Sequence, residues 1–339
     1  MTLADILIAV IWSGLTAYAV LGGADFGAGV LHLISPAHLA GRRRQESIIG
    51  AIGPAWEANH VWLIFVLTGL LTMFPDAFAA LGSAVLAPAS IALVAIVIRG
   101  GALAFGGQLT VTDRVERPVR VAFGLASAVA PLVMGALAGG LARQRVIVAS
   151  GHVRSGGGTA LWLGRFELTT GLMALAACTT VAAVLLAARS SGRGEERLAR
   201  GFRSHAMRAT AATATLAAVA LALSSSDAPR LFSGLTGRGL PAVIVTFGAL
   251  AATIAALRLR RDRWARGAAV LAMAGLVWGW GLAQFPRLVG PRVTVASSAA
   301  PPAELHAIAI ALGAGALLLL PSLWLLHVAF RRAAAEVTR

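Results

Sequence analysis

The sequence predicts an all-α polytopic membrane protein of about nine transmembrane helices, with the N-terminus outside and the C-terminus in the cytoplasm. Three observations carry this. Of 339 residues, 58% are hydrophobic and only 13% charged, whereas soluble domains are about a quarter charged. Mean hydropathy is +0.80. Nine apolar runs recur along the chain, most of them near the ~20 residues needed to cross a hydrocarbon core of ~30 Å.

The first run, 5–30, follows Met1-Thr2-Leu3-Ala4, which has no positive charge, and the first arginine is Arg42. That pattern predicts a retained helix and no cleaved signal. The second run, 48–74, opens on Gly53-Pro54-Ala55-Trp56-Glu57-Ala58-Asn59-His60-Val61-Trp62-Leu63-Ile64. The third, 78–105, closes near Arg99, and the fourth is 119–141. Residues 142–163 contain Gly156-Gly157-Gly158 and read as a flexible outer loop. The fifth to eighth runs are 164–188, 209–224, 239–257 and 267–285, the sixth being shortest. A second flexible loop is expected over 286–302, and the last run is 303–329.

Orientation follows from the arginines. The chain has no lysine, and its net charge is +15. Of the 29 arginines, 21 fall in connections after odd-numbered runs or at the C-terminus, and 8 on the other side. Positive loops stay in the cytoplasm, and an odd number of spans preserves the alternation. The basic balance is therefore a topology signal plus attraction to anionic headgroups, and no nucleic-acid partner is expected.

Several chemistries are excluded. A single cysteine, Cys178, rules out an internal disulfide, a CxxC pair and a Cys-ligated cluster; it reads as a small buried apolar residue. No Walker loop is present. Glu57-x-x-His60 has the spacing of one di-iron half-motif, but the second half is missing, since Glu304 is followed by Leu305-His306. No metal site is expected. Glu167, Glu304, His306 and His327 lie near run ends, where headgroups can solvate them, and are assigned no role.

The polar residues inside the runs are the candidates. The first run ends Gly22-Gly23-Ala24-Asp25-Phe26-Gly27-Ala28-Gly29. Small residues let helices approach closely in lipid, so the glycines read as packing. Asp25 beside them must be neutral, paired or hydrogen-bonded: either a structural partner or a proton handler. On the second run, Glu57, His60, Val61 and Ile64 share a helical face; Trp56, Asn59 and Leu63 share the next. An acid within hydrocarbon costs at least ~2.5–3.5 kcal/mol, so Glu57 should face protein, water or a cofactor. Arg99 has two readings, a snorkelling boundary residue or a cation paired with an intramembrane carboxylate. Trp162, Trp264 and Trp324 read as interface anchors; Trp278 and Trp280 read as packing, lipid contact or an aromatic wall for an isoprenoid tail.

Together these residues resemble subunit II of cytochrome bd-type quinol oxidases, the subunit that usually carries no haem. Gly23-Ala24-Asp25-Phe26-Gly27-Ala28-Gly29 is similar to the family's G-x-D-x-G-x-G, and Ile52–Ile64 to its I-x-P-x-W-D-G-N-x-V-W-L-I. Arg99, Phe285-Pro286 and Thr294–Ser298 also look like the family. Glu57 stands for the family's Asp, Ala58 for its Gly, and Ala104 about where the family has a further acid.

The resemblance implies a heterodimer with a haem-bearing subunit I, which holds haem b and haem d, oxidises quinol and reduces O2 to water. It also implies the bacterial cytoplasmic membrane. The expected layout is a first four-helix bundle over 1–141, the outer loop 142–163, a second four-helix bundle over 164–285 and a peripheral helix over 303–329. This chain would supply scaffold, lipid and quinone contact, and cytoplasmic proton delivery. Asp25 and Glu57 would be waypoints, Trp62 would orient them and Arg99 would offset their charge, with Trp56, Asn59 and His60 behind them. No cofactor is assigned to this chain, and a small single-helix subunit is a further candidate partner. The competing reading is a secondary transporter with Asp25, Glu57 and Arg99 as a midplane coupling site. It requires broken helices in two inverted halves, and none is visible. A third reading, motivated by Ala104, is a diverged relative without oxidase activity.

Overall fold

Thr2 starts the first helix. Its side chain accepts a hydrogen bond from the Asp5 N–H at 3.2 Å while the Asp5 carboxylate accepts from the Thr2 N–H at 2.8 Å, a reciprocal capping box that satisfies two orphan donors. The computed structural model describes residues 2–35, 39–106, 113–144, 146–149, 152–155 and 162–337. Side chains at 39–42, 52–58, 105–106, 113–116, 147–149, 152–155, 320, 323 and 326–337 lie outside that description.

The helices in order are α1 (Leu3–Leu33), α2 (Leu39–Met73), α3 (Pro75–Gly106) and α4 (Asp113–Ala142). A short antiparallel pair follows, β1 (Ile147–Ala149) and β2 (His152–Ser155). Then come α5 (Arg165–Gly192), α6 (Glu196–Asp227), the short α7 (Pro229–Thr236), α8 (Leu240–Arg258) and α9 (Asp262–Gln284). A second hairpin, β3 (Arg287–Val289) and β4 (Val293–Thr294), leads into α10 (Val295–Ser298) and the long α11 (Pro302–Val337).

Among the described residues, eight helices are long and apolar enough to cross a membrane, and α2 adds a shorter apolar stretch, Asn59–Met73. The chain is thus an all-helical multi-pass membrane protein. The expected sixth run was too short. α6 extends from Glu196 to Asp227, because its charged first turns pack through Arg203, which hydropathy alone cannot register. The segment 286–302 is ordered structure and not the flexible loop expected there. Thr294 caps α10 by accepting from the Ser297 N–H at 3.1 Å, Val295 N–H donates to the Pro286 carbonyl at 2.8 Å, and Ala300 N–H donates to the Met73 carbonyl at 2.9 Å.

α1 is the hub, packing against α2, α4, α5 and α9. Its first half buries Leu7 and Ile11 with Met73, Phe74 and Val295. Its last turns bury Ala28 and Leu31 with Phe123, Ala183, Phe202 and Leu257. α11 is peripheral: only 6% of its membrane-crossing stretch, Pro302–Leu319, is buried.

Candidate functional site

The glycines near the end of α1 act by absence. A β-carbon on Gly22 would stand 3.1 Å from the Asn59 Oδ1 of α2, and one on Gly29 would overlap the Ser127 hydroxyl of α4. Backbone-to-side-chain contact on two sides draws α2 and α4 onto α1, and this encloses Asp25, which is 1% exposed.

Arg99 comes in from α3 and is 2% exposed. It is a buried partner, not a snorkelling boundary residue. Its Nη2 donates to the Asp25 Oδ1 in a short ion pair and lies 3.3 Å from the Asp25 backbone carbonyl. Its Nε donates to Ser127 Oγ at 3.0 Å, and the Ser127 hydroxyl donates to the Phe123 carbonyl at 2.7 Å. The rings of Phe26 and Phe123 flank the guanidinium at 5.3 and 5.1 Å, within cation–π range. Two buried charges gain from each other only when geometry and extra hydrogen bonds offset desolvation, and here a hydroxyl, a carbonyl and two rings supply them. One atom is left over. Asp25 Oδ2 is buried with no hydrogen-bond partner among the described residues.

Behind the pair, Asn59 is buried with Oδ1 also lacking a partner. His60 is half-buried. Trp62 stands apart, 38% exposed, its ring edge-on to Phe65 at 5.9 Å. Trp56 and Glu57 are on α2, but their side chains lie outside the described residues. Ser127, Phe123 and Phe26 were not anticipated as site residues. A serine in an apolar run was the only signal for Ser127.

A cavity of ≈ 410 Å³ lies among α1 and α4–α9, lined almost wholly by apolar groups, including Tyr18, Met134, Phe166, Cys178 and Trp280. Trp280 stacks on Trp12 with ring centroids 5.3 Å apart and donates to the Ala138 carbonyl at 3.1 Å. Trp12 in turn donates to the Val277 carbonyl at 3.0 Å. Trp280 is thus a packing residue that also walls the cavity. Glu167, expected in a solvated helix end, is fully buried and accepts from Arg143 Nη1 at 2.7 Å. Among the described residues, no three of His, Cys, Asp and Glu converge on a metal-sized point.

The family model for cytochrome bd terminal oxidase subunit II matches residues 3–330. The chain belongs to this family. Two curated subunit II relatives come from Bacillus subtilis (strain 168). One, a putative cytochrome bd menaquinol oxidase subunit II, is 29% identical over 131 residues, 38% of this chain and 36% of its own. The other, a cytochrome bd ubiquinol oxidase subunit 2, is 33% identical over 134 residues, 39% of this chain and 37% of its own. These matches therefore span little more than a third of either relative. The solved bd oxidase from Geobacillus thermodenitrificans contains a chain that covers 97% of this one and 99% of itself, at 27% identity and a TM-score of 0.76. Subunit II membership places the chain, with its long apolar helices, in the bacterial cytoplasmic membrane as a multi-pass protein.

Proposed function

We propose that this chain is the haem-free subunit of a membrane quinol:O2 oxidoreductase, paired with a subunit I that carries haem b and haem d. Its N-terminus is outside, and the helices before and after the 142–163 connection form two bundles. It contributes scaffold and a proton path from the cytoplasm. The observation that carries this reading is the Asp25–Arg99 pair with its unmatched oxygen. Arg99 holds Oδ1 and keeps the carboxylate buried; Oδ2 is free to take a proton from a water. In this reading a proton enters through Glu57, binds Asp25 Oδ2 and leaves toward subunit I. Asn59 and His60 line the same region of α2, and Arg99 offsets the charge when the proton departs. Ala104 supplies no acid, so water or subunit I bridges that point.

Haem, held by subunit I, would supply the electron transfer and oxygen chemistry, and three histidines of this chain make local contacts within it. His205 and His306 hydrogen-bond the carbonyls of Gly201 and Pro302 on their own helices, and His32 sits edge-on to Phe123. No step of this chain runs through haem. The apolar cavity suits the isoprenoid tail of a quinone in size and lining.

The test is the purified complex. Under mild detergent, haem b and d spectra should accompany this chain; their absence would overturn the oxidase reading. Glu57→Gln should leave the spectrum intact while slowing oxygen consumption on the order of tenfold or more, as for loss of a positioned proton carrier. Unchanged turnover would remove Glu57 from the path.

A further inference from the structure

We infer that the turn between α8 and α9 binds the headgroups of anionic phospholipids. The segment reads Arg258-Leu259-Arg260-Arg261-Asp262-Arg263-Trp264-Ala265-Arg266. All five arginines are exposed. Its one acid does not neutralise them. Asp262 is turned inward, where Arg203 of α6 donates to its two oxygens at 3.0 and 2.6 Å. None of the five guanidiniums has a carboxylate partner among the described residues. Five cations with no internal counterion, at the end of two membrane-crossing helices, leave a phosphate-rich surface as their complement.

The backbone of the turn gives a second, independent reason. α8 ends in a Schellman motif: Arg261 N–H donates to the Ala256 carbonyl at 2.8 Å and Arg260 N–H to the Leu257 carbonyl at 3.2 Å. That motif needs a left-handed residue just past the cap, and Arg260 has φ 54°. Glycine is the usual occupant, because a β-carbon is strained there. The neighbouring turn follows that rule. α5 ends with Glu195 N–H on the Ser190 carbonyl at 2.9 Å and Gly194 N–H on the Ser191 carbonyl at 3.1 Å, with Gly194 at φ 75°. The two turns are clamped together by Arg203, which also reaches Glu196 at 2.8 Å. At equivalent positions, then, one turn takes the relaxed residue and the other carries a guanidinium against its backbone preference. A guanidinium held where glycine would be relaxed is a pointer to function, which the variants below test.

Depth is set by the apolar members. Leu259 is 66% and Trp264 73% exposed. An exposed indole at a helix end belongs at headgroup level, which brings the arginines around it to the lipid phosphates.

The complex containing this chain, in mixed micelles of equal phosphatidylglycerol and phosphatidylcholine, is passed through gel filtration and its retained lipids are counted by mass spectrometry. Phosphatidylglycerol should be retained in preference. Each basic residue near a membrane surface contributes roughly fivefold in affinity for anionic lipid. Arg260→Gly should therefore lower the preference by about fivefold and Arg260→Gly/Arg263→Gln by about 25-fold. Arg260→Gly should leave the thermal unfolding midpoint unchanged or raised, since glycine suits the turn. Arg165→Gln, which alters an exposed arginine tied to Asp227, should change nothing in lipid retention. Equal retention of the two lipids, or a double variant with undiminished preference, would overturn the proposal. So would a loss of stability in Arg260→Gly, which would make Arg260 a structural residue.

Discussion

Gly27 of α1 lies directly against the backbone carbonyl of Cys178 on α5, so close that a β-carbon there would overlap that oxygen and stand 2.8 Å from the Ala182 methyl. No flexible side chain can yield at this contact; one backbone would have to move. Gly27→Ala should therefore destabilise by about 1–3 kcal/mol, the usual cost of overpacking. Gly50 of α2 is the comparison, because a β-carbon there meets nothing within 4 Å. Gly50→Ala should be neutral or stabilising by up to ~1 kcal/mol. Thermal unfolding of the purified complex reads both, and equal midpoints would show that the α1–α5 contact does not limit packing.

The Asp25–Arg99 pair sets a second expectation. Arg99→Gln leaves a carboxylate buried without its cation, a change that costs about 3–5 kcal/mol when one partner of a buried pair is removed. Asp25→Ala should lower the yield of complex more than Asp25→Asn, because Asn keeps an acceptor for Ser127-bound Arg99. Arg99→Gln/Asp25→Asn should recover part of the loss. Equal, normal yields across the set would leave the pair without structural weight.

How much of this was legible in the sequence depends on where partners lie. Helices announce themselves locally, so the apolar runs marked most of the spans. Asp25 and Arg99 were both singled out, yet nothing near Arg99 distinguishes a snorkelling arginine from a buried one. Its partner is 74 residues away, and only the packing of α1, α3 and α4 joins them. Ser127 and Phe123 were invisible for the same reason. The start of α6 was missed because Arg203 looks like a solvated cation until Asp262, 59 residues on, is brought against it. The hairpin and α10 in 286–302 are too short to show any periodicity; the Thr294 cap was the one local sign.

Glu167 shows how far a buried acid can hide at a helix end. It is fully buried while Arg143 is 15% exposed, and its Oε2 has no partner among the described residues. Glu167→Ala should cost about 3 kcal/mol or more by stranding the Arg143 charge, with Glu167→Gln milder because it still accepts a hydrogen bond. Asp227→Asn, at the exposed pair with Arg165, should have little effect. A Glu167→Ala complex as heat-stable as that of Asp227→Asn would show that burial does not strengthen the first pair.

The distance in sequence between Asp25 and Arg99 is also an interval of time. α1 leaves the ribosome before α3, carrying a carboxyl whose guanidinium lies 74 residues downstream. At ~5–20 residues per second that gap lasts roughly 4–15 s. Through that interval Asp25 must be protonated or held in the aqueous part of the insertion machinery. α1 therefore carries an unpaired acid until α3 arrives, and the ion pair closes only when the third helix is in place.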